Sequence, residues 1–282
     1  MSNIGYALGA IRARAYVRVV GANRELSWTL SEIVLPVLSM VAYVMIYKTL
    51  FSHDQELYRR YAGLVIIGGA MVPFWLVVLW SMASQFYWEK EMGNLDLYMA
   101  SPMHPMILLL GMAAGGAVMA LGRSVVIVLL GLLVFKVPLA VNDWPALVLA
   151  FVLCLAALFS MGMAMSSVYF MVGRAGIKVN MLLMEPIYLL TGFYFPARAL
   201  GPTLSMAAAL IPLTIGLDAI RQVTGLLTPQ MVLKLGPIEL SAWLEIGILA
   251  VMSVVFTIAA FWLMAYMQRM GKREGKMTLR WQ

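Results

Sequence analysis

Apolar stretches alternate with short polar breaks along the whole chain. They predict six transmembrane helices, over residues 29–50, 61–87, 106–135, 144–172, 179–194 and 243–266. A helix needs about 20 mostly apolar residues to span hydrocarbon. Pro36 bends the entry turn of the first span, and Gly68, Gly69 and Pro73 bend the second or let a neighbour approach it closely. Before the first span, residues 4–20 read as an amphipathic helix. Ala7, Leu8, Ile11, Ala15 and Val19 fall near one side and the arginines near another, so the helix is expected to lie in the membrane interface. Residues 193–242 break the rhythm. A turn at 195–202 leads into 204–217, which is apolar but short and interrupted at Pro212. That stretch reads as a re-entrant or interfacial helix. Asp218 and Arg221 follow it, three residues apart on one helical face, where they can pair.

Composition agrees with the pattern. Of the 282 residues 63% are hydrophobic and only 12% are charged, about half the charged share of a soluble domain. The lone Cys154 excludes an intrachain disulfide and any cysteine-based metal cluster, and in an apolar helix it reads as a small packing residue. His53 and His104 form no metal or catalytic constellation with it. The net charge of +7 points to anchoring beside anionic lipid rather than to nucleic acid. The N-terminal residues lack the basic, apolar, small order of a cleavable signal.

One stretch stands out against this background. Residues 88–105 run Trp88-Glu89-Lys90-Glu91-Met92-Gly93-Asn94-Leu95-Asp96-Leu97-Tyr98-Met99-Ala100-Ser101-Pro102-Met103-His104-Pro105. In a chain so poor in charge, three acids and a lysine within eight residues require a reason. Residues 89–98 have the length of about three helical turns, with Leu95 and Met99 on an apolar side. Pro102 and Pro105 end the helix and redirect the chain. Such a segment lies on a membrane surface or docks into a partner's groove, and the second reading is preferred here.

Charge distribution orients the chain. With both termini on one side, twelve Lys and Arg residues fall on that side and seven on the other, leaving Arg123 inside the membrane. The positive-inside rule then places both termini and residues 89–105 in the cytoplasm and residues 193–242 outside. Arg123 near mid-depth and Glu185 in the fifth span are the intramembrane charges. A structural ion pair is preferred for them over a place on a substrate route, because isolated charge in hydrocarbon needs compensation.

Three motifs in this order resemble the ABC-2-type permeases, the transmembrane subunits of ABC exporters. The first runs from Glu89 and Glu91 through Gly93, Leu95 and Asp96 to Ser101 and Pro102. The second is Leu190-Thr191-Gly192-Phe193-Tyr194-Phe195-Pro196. The third is Ile211-Pro212-Leu213-Thr214 with Asp218-Ala219-Ile220-Arg221. Thr191 and Asn94 depart mildly from the family pattern, where Ser and Thr are common.

The resemblance implies one all-α membrane domain over residues 1–282, with a cytoplasmic interfacial helix (1–27), a coupling helix (89–101), an outer re-entrant region and loop (193–242) and a cytoplasmic tail (267–282). It implies a multi-pass protein of a prokaryotic cytoplasmic membrane, built from two permease copies and two cytoplasmic ATPase subunits. Residues Glu89, Glu91, Gly93, Leu95, Asp96, Ser101 and Pro102 would then serve coupling. Gly192, Phe193, Phe195, Pro196, Pro212, Asp218 and Arg221 would build the outer gate. ATP and magnesium would belong to the partner ATPase, because this chain has no Gly-rich loop ending in Gly-Lys-Ser or Gly-Lys-Thr. The expected function is export of an amphipathic or lipid-linked cargo, such as a drug, a lipid or a glycan, by alternating access at a dimer interface. A secondary transporter would want intramembrane acids and repeat symmetry, and a channel would want a polar pore lining. Glu185 offers the first only in part, and residues 204–217 are mainly apolar.

Overall fold

A computed structural model of the chain describes residues 3–24, 26–93, 104–137, 140–172, 174–236 and 238–274. Its helices are α1 (Asn3–Asn23), α2 (Leu26–Leu50), α3 (Gln55–Leu76), α4 (Gln85–Glu91), α5 (Pro105–Phe135), α6 (Trp144–Val172), α7 (Arg174–Thr191), α8 (Pro202–Ala208), α9 (Pro212–Val223) and α10 (Ala242–Glu274). A π-helical stretch, Val77–Ala83, joins α3 to α4. A single 3-10 turn, Ala197–Leu200, precedes α8. Among the described residues the fold is helical apart from a short hairpin, β1 (Lys234–Leu235) with β2 (Ile238–Glu239), closed by a Lys234–Glu239 ion pair.

Local chemistry sets the helix ends. Asp54 caps α3 by accepting from the Leu57 amide at 2.9 Å. The polar break after α2 is therefore short, and Glu56, Arg59 and Arg60 lie on the first turns of α3 rather than in a loop. Asp143 accepts from the Ala146 amide at 3.1 Å at the start of α6. His104 caps α5 through Nδ1, 3.2 Å from the Met106 amide, with Pro105 in the first helical position. Proline suits that position because its missing N–H would find no helical acceptor there. The π-helical stretch begins shortly after Pro73, which removes one amide donor from the helical ladder.

Among the described residues, five helices are long and apolar enough to cross a membrane, over Thr29–Leu50, Gln55–Trp80, Pro105–Phe135, Trp144–Val168 and Ala242–Met270. The span expected over 179–194 falls in α7, which is not among them. Arg174, Lys178 and Glu185 within its 18 residues dilute its apolar character. Residues 204–217 are not one helix. They divide between α8 and α9, which meet at 104°, a bend compatible with a broken span or a re-entrant loop.

Helix α3 is the hub. Its most apolar window is 94% buried, against 17% for those of α2 and α10. It packs on α2 and α5, and its π-helical continuation packs on α6. Helix α6 in turn packs along α10 and against α9. Small residues permit the closest approaches. A Cβ at Gly131 of α5 would meet Ile66 of α3 at 2.8 Å, and one at Gly162 of α6 would meet Val78 at 2.8 Å. Cys154 is fully buried, with Sγ 3.8 Å from the Pro212 carbonyl and its side chain against Gly216, which is a packing role.

The first helix joins the bundle: α1 packs against α5, whose Gly111 and Gly115 face Arg14 and Arg18. The glycine-rich face of α5 is therefore already filled from within the chain.

Candidate functional site

Two polar constructions occupy opposite ends of the helical body, and both are assembled by α3 and its continuation. The first lies where α9 meets the turn that ends α7. Thr191 closes α7 by donating to the Ile187 carbonyl at 2.7 Å. Gly192 then adopts φ +68°, a left-handed conformation that glycine takes without a Cβ penalty. The irregular residues 192–196 leave carbonyls without helical partners, and the Arg221 side chain supplies them. Its guanidinium donates to Gly192 O at 2.9 Å, Phe193 O at 2.6 Å and Phe195 O at 3.2 Å. It also donates to Leu64 O of α3 at 2.9 Å. Arg221 is 1% exposed. Helix α3 comes so close to the turn that a Cβ at Gly68 would overlap the Phe193 carbonyl.

The carboxylate three residues earlier takes other partners. Asp218 Oδ2 accepts from the Leu233 amide at 3.1 Å and from Gln222 Nε2 at 3.1 Å. Gln222 also donates to Glu245 of α10 at 2.8 Å and to the Leu240 carbonyl at 2.9 Å. Asp218 and Glu245 are both buried and lie close enough to act on each other electrostatically. The pairing expected between Asp218 and Arg221 is therefore replaced by two separate sets of contacts. Arg221 satisfies backbone carbonyls, and Asp218 ties α9 to the 233–240 hairpin and to α10. An aromatic cluster surrounds the same turn. Tyr43 stacks on Tyr194 at 4.5 Å, Tyr188 Oη donates to Tyr194 Oη at 2.9 Å, and Tyr47 Oη donates to the Tyr194 carbonyl at 3.0 Å. Phe193 and Phe195 thus act through the turn they build, and Pro196 and Pro212 sit at the starts of the 3-10 turn and α9.

The second construction is at α4. Glu89 is 1% exposed and forms an ion pair with Arg14 of α1, with Gln85 also donating to it. It therefore faces inward. Its carboxylate fastens α4 to α1, where a buried acid finds a cation. Glu91 and Gly93 are exposed at the end of α4. Leu95, Asp96, Ser101 and Pro102 lie outside the described residues.

The intramembrane charges separate. Arg123 of α5 is buried and paired with Glu32 of α2. Glu185 is exposed on α7. The Arg123–Glu185 pairing considered from the sequence is thus replaced by Arg123–Glu32, which compensates the arginine within the chain.

A family model described as ABC-2 type transporter matches residues 24–224. The chain belongs to the ABC-2 type transporter family. No curated protein matches it. The match runs from the start of α2 through α9, so it contains the α4-to-α5 segment, the 192–196 turn and Arg221. This ABC-2 chain is accordingly a multi-pass, helical membrane transport protein.

Sequence reasoning missed Gln222 and Glu245 as the links from α9 to α10, and Arg14 as the partner of Glu89. Glu245 carried a readable signal. It is an acid at the head of an apolar run, and such a residue needs a partner. The Arg14–Glu89 pair carried none, because 75 residues separate its members.

Replacing Arg221 by Met would strand the carbonyls of Gly192, Phe193 and Phe195. The variant is expected to lose about 3–5 kcal/mol of stability, read as a large drop in thermal unfolding midpoint in detergent. Arg221→Lys should recover only part, since one ammonium cannot span all four acceptors. Wild-type melting in Arg221→Met would contradict this construction.

Proposed function

We propose that this ABC-2 chain is the membrane-spanning subunit of an ATP-driven exporter. Two copies would assemble with two cytoplasmic ATPase subunits, which use ATP and magnesium, and the cargo path would run at the axis between the copies. The cargo class is amphipathic or lipid-linked: a drug, a lipid or a glycan. The observation that carries the reading is the family match across residues 24–224. It includes a charged, proline-limited connection between α4 and α5 that has the composition of a docking segment. Residues 94–103 are then the contact with the ATPase, with Leu95 supplying apolar area and Asp96 orienting it. Glu89 holds the base of this segment to α1.

In this reading the chain crosses a prokaryotic cytoplasmic membrane six times with both termini inside. The sixth crossing is supplied by α7, the bent α8–α9 pair is the re-entrant element, and the 192–240 region lies outside, next to the gate. The charge distribution supports this orientation. A cysteine at Ile238, an exposed position in the hairpin, should react with an impermeant thiol reagent in intact cells, while one at Asn94 should be shielded. Labelling of Asn94→Cys from outside would reverse the topology.

The functional test is Leu95→Asp in the complex reconstituted with its ATPase. ATP hydrolysis should continue while transport falls to background. Full coupled transport in Leu95→Asp would overturn the coupling role, and transport driven by a proton gradient without ATP would favour a secondary transporter.

A further inference from the structure

Helix α1 runs beside the first half of α5 in the same direction. A Cβ at Gly111 would meet Ile11 O at 3.1 Å and Arg14 Cβ at 2.7 Å, and one at Gly115 would meet Ala15 O at 2.8 Å and Arg18 Cβ at 3.0 Å. A four-residue step on one helix matches a four-residue step on the other. Arginines on α1 spaced by one turn are thereby drawn along the seam toward Arg123, two turns further along α5.

The charges on this seam do not balance. Arg14 pairs with Glu89, and Arg123 pairs with Glu32. Arg18 lies between them and interacts electrostatically with both arginines. Among the described residues it has no hydrogen bond and no ion pair, and its Nε is buried without an acceptor. Burial first, and the neighbouring Arg14 second, push its guanidinium below its ordinary pKa. Among the described residues of the seam, three guanidinium groups against two carboxylates leave one positive charge uncompensated. An anion bound at Arg18 removes that cost.

The setting decides which anion. The outward side of α1 carries Leu8, Tyr16 and Val17, 56–68% exposed, beside the exposed apolar flank of α5 at Val118 and Val125. An aromatic and aliphatic surface of this kind is solvated by acyl chains. The anion therefore arrives attached to a lipid.

We propose that Arg18, flanked by Arg14 and Arg123 on the seam between α1 and α5, binds the phosphate of an anionic phospholipid headgroup. The lipid's chains lie along Tyr16 and Val17, and its phosphate takes the guanidinium donors that no side chain among the described residues takes. The site lies on the α4 side of the membrane, the inner leaflet in the orientation proposed above, but it depends on neither that orientation nor the direction of transport. It links lipid headgroup chemistry to α1, and through Arg14–Glu89 to α4.

The test uses the full-length chain, delipidated in detergent, titrated with palmitoyl-oleoyl phosphatidylglycerol and followed by native mass spectrometry. Phosphatidylcholine of the same chains and inorganic phosphate are the comparison ligands. Phosphatidylglycerol should bind wild type in preference to phosphatidylcholine and raise its thermal unfolding midpoint. Arg18→Gln should weaken phosphatidylglycerol about tenfold, the loss of one charged multi-donor contact, with phosphatidylcholine unchanged. Arg18→Lys, which keeps the charge and so guards against a folding defect, should retain the headgroup preference at lower affinity. Arg12→Gln and Arg24→Gln, at exposed positions, should stay within about twofold, as surface charge contributes weakly. Three results would overturn the site: equal phosphatidylglycerol binding in wild type and Arg18→Gln, the same loss in Arg12→Gln, or no preference for phosphatidylglycerol in wild type. Displacement of bound phosphatidylglycerol by millimolar inorganic phosphate would overturn its assignment to lipid.

Discussion

An irregular turn buried in a membrane protein has to have its carbonyls satisfied without water, and here one guanidinium does so. Residues 192–196 break the helical ladder at the end of α7. Without donors, each buried carbonyl would cost several kcal/mol in a lipid setting. Arg221 reaches three of these carbonyls and one more on α3. Its planar set of donors suits this task better than a point charge would. The close approach of α3 to the turn, which requires Gly68, is part of the same arrangement. Asp218 and Gln222 extend it from α9 to the hairpin and to Glu245 of α10. As a result α3, the turn, α9 and the head of α10 are joined by directional bonds as well as by apolar packing.

At the opposite end, polar bonds do different work. Glu89 and Arg14 fasten α4 to α1, and α1 lies in the glycine groove of α5. The segment between α4 and α5 therefore starts and ends on helices that α1 touches or braces. A load applied to residues 94–103 would pass into α1 and α5 on one side and, through the π-helical stretch, into α3 on the other. Since α3 also holds Arg221 by its Leu64 carbonyl, the two ends communicate along one buried helix. This is a mechanical path defined by contacts, and it assigns transmission to α3 rather than to a chain of charges.

Much of the helical plan was legible in the sequence because apolar run length is a strong signal: the spans at 29–50, 106–135 and 144–172 closely match the helices found. The turn after Thr191 and the break before Pro212 were readable from Gly and Pro chemistry. The π-helical stretch was not, since it follows Pro73 without a sequence signature of its own. Charged partners were the least legible feature. Arg123 with Glu32 and Arg14 with Glu89 join residues distant in sequence, and only the packing of α1 and α2 on α5 and of α4 on α6 brings them together. Asp218 and Arg221 mislead for a related reason: a three-residue spacing permits a pair, but the carbonyls of 192–196 compete better for the guanidinium. The docking role proposed for residues 94–103 rests on the sequence pattern and the family match.

The central claim is that Arg221 makes α3 and the α8–α9 element move as one body. It is tested most directly by pulsed electron paramagnetic resonance on a Cys154→Ala background, with spin labels at His53, just before α3, and Leu210, at the exposed bend between α8 and α9. The distance distribution should be single, narrow and unchanged when ATP is added to the complex assembled with the proposed ATPase subunits. A distribution that broadens or shifts with ATP while Arg221 is intact would contradict the account.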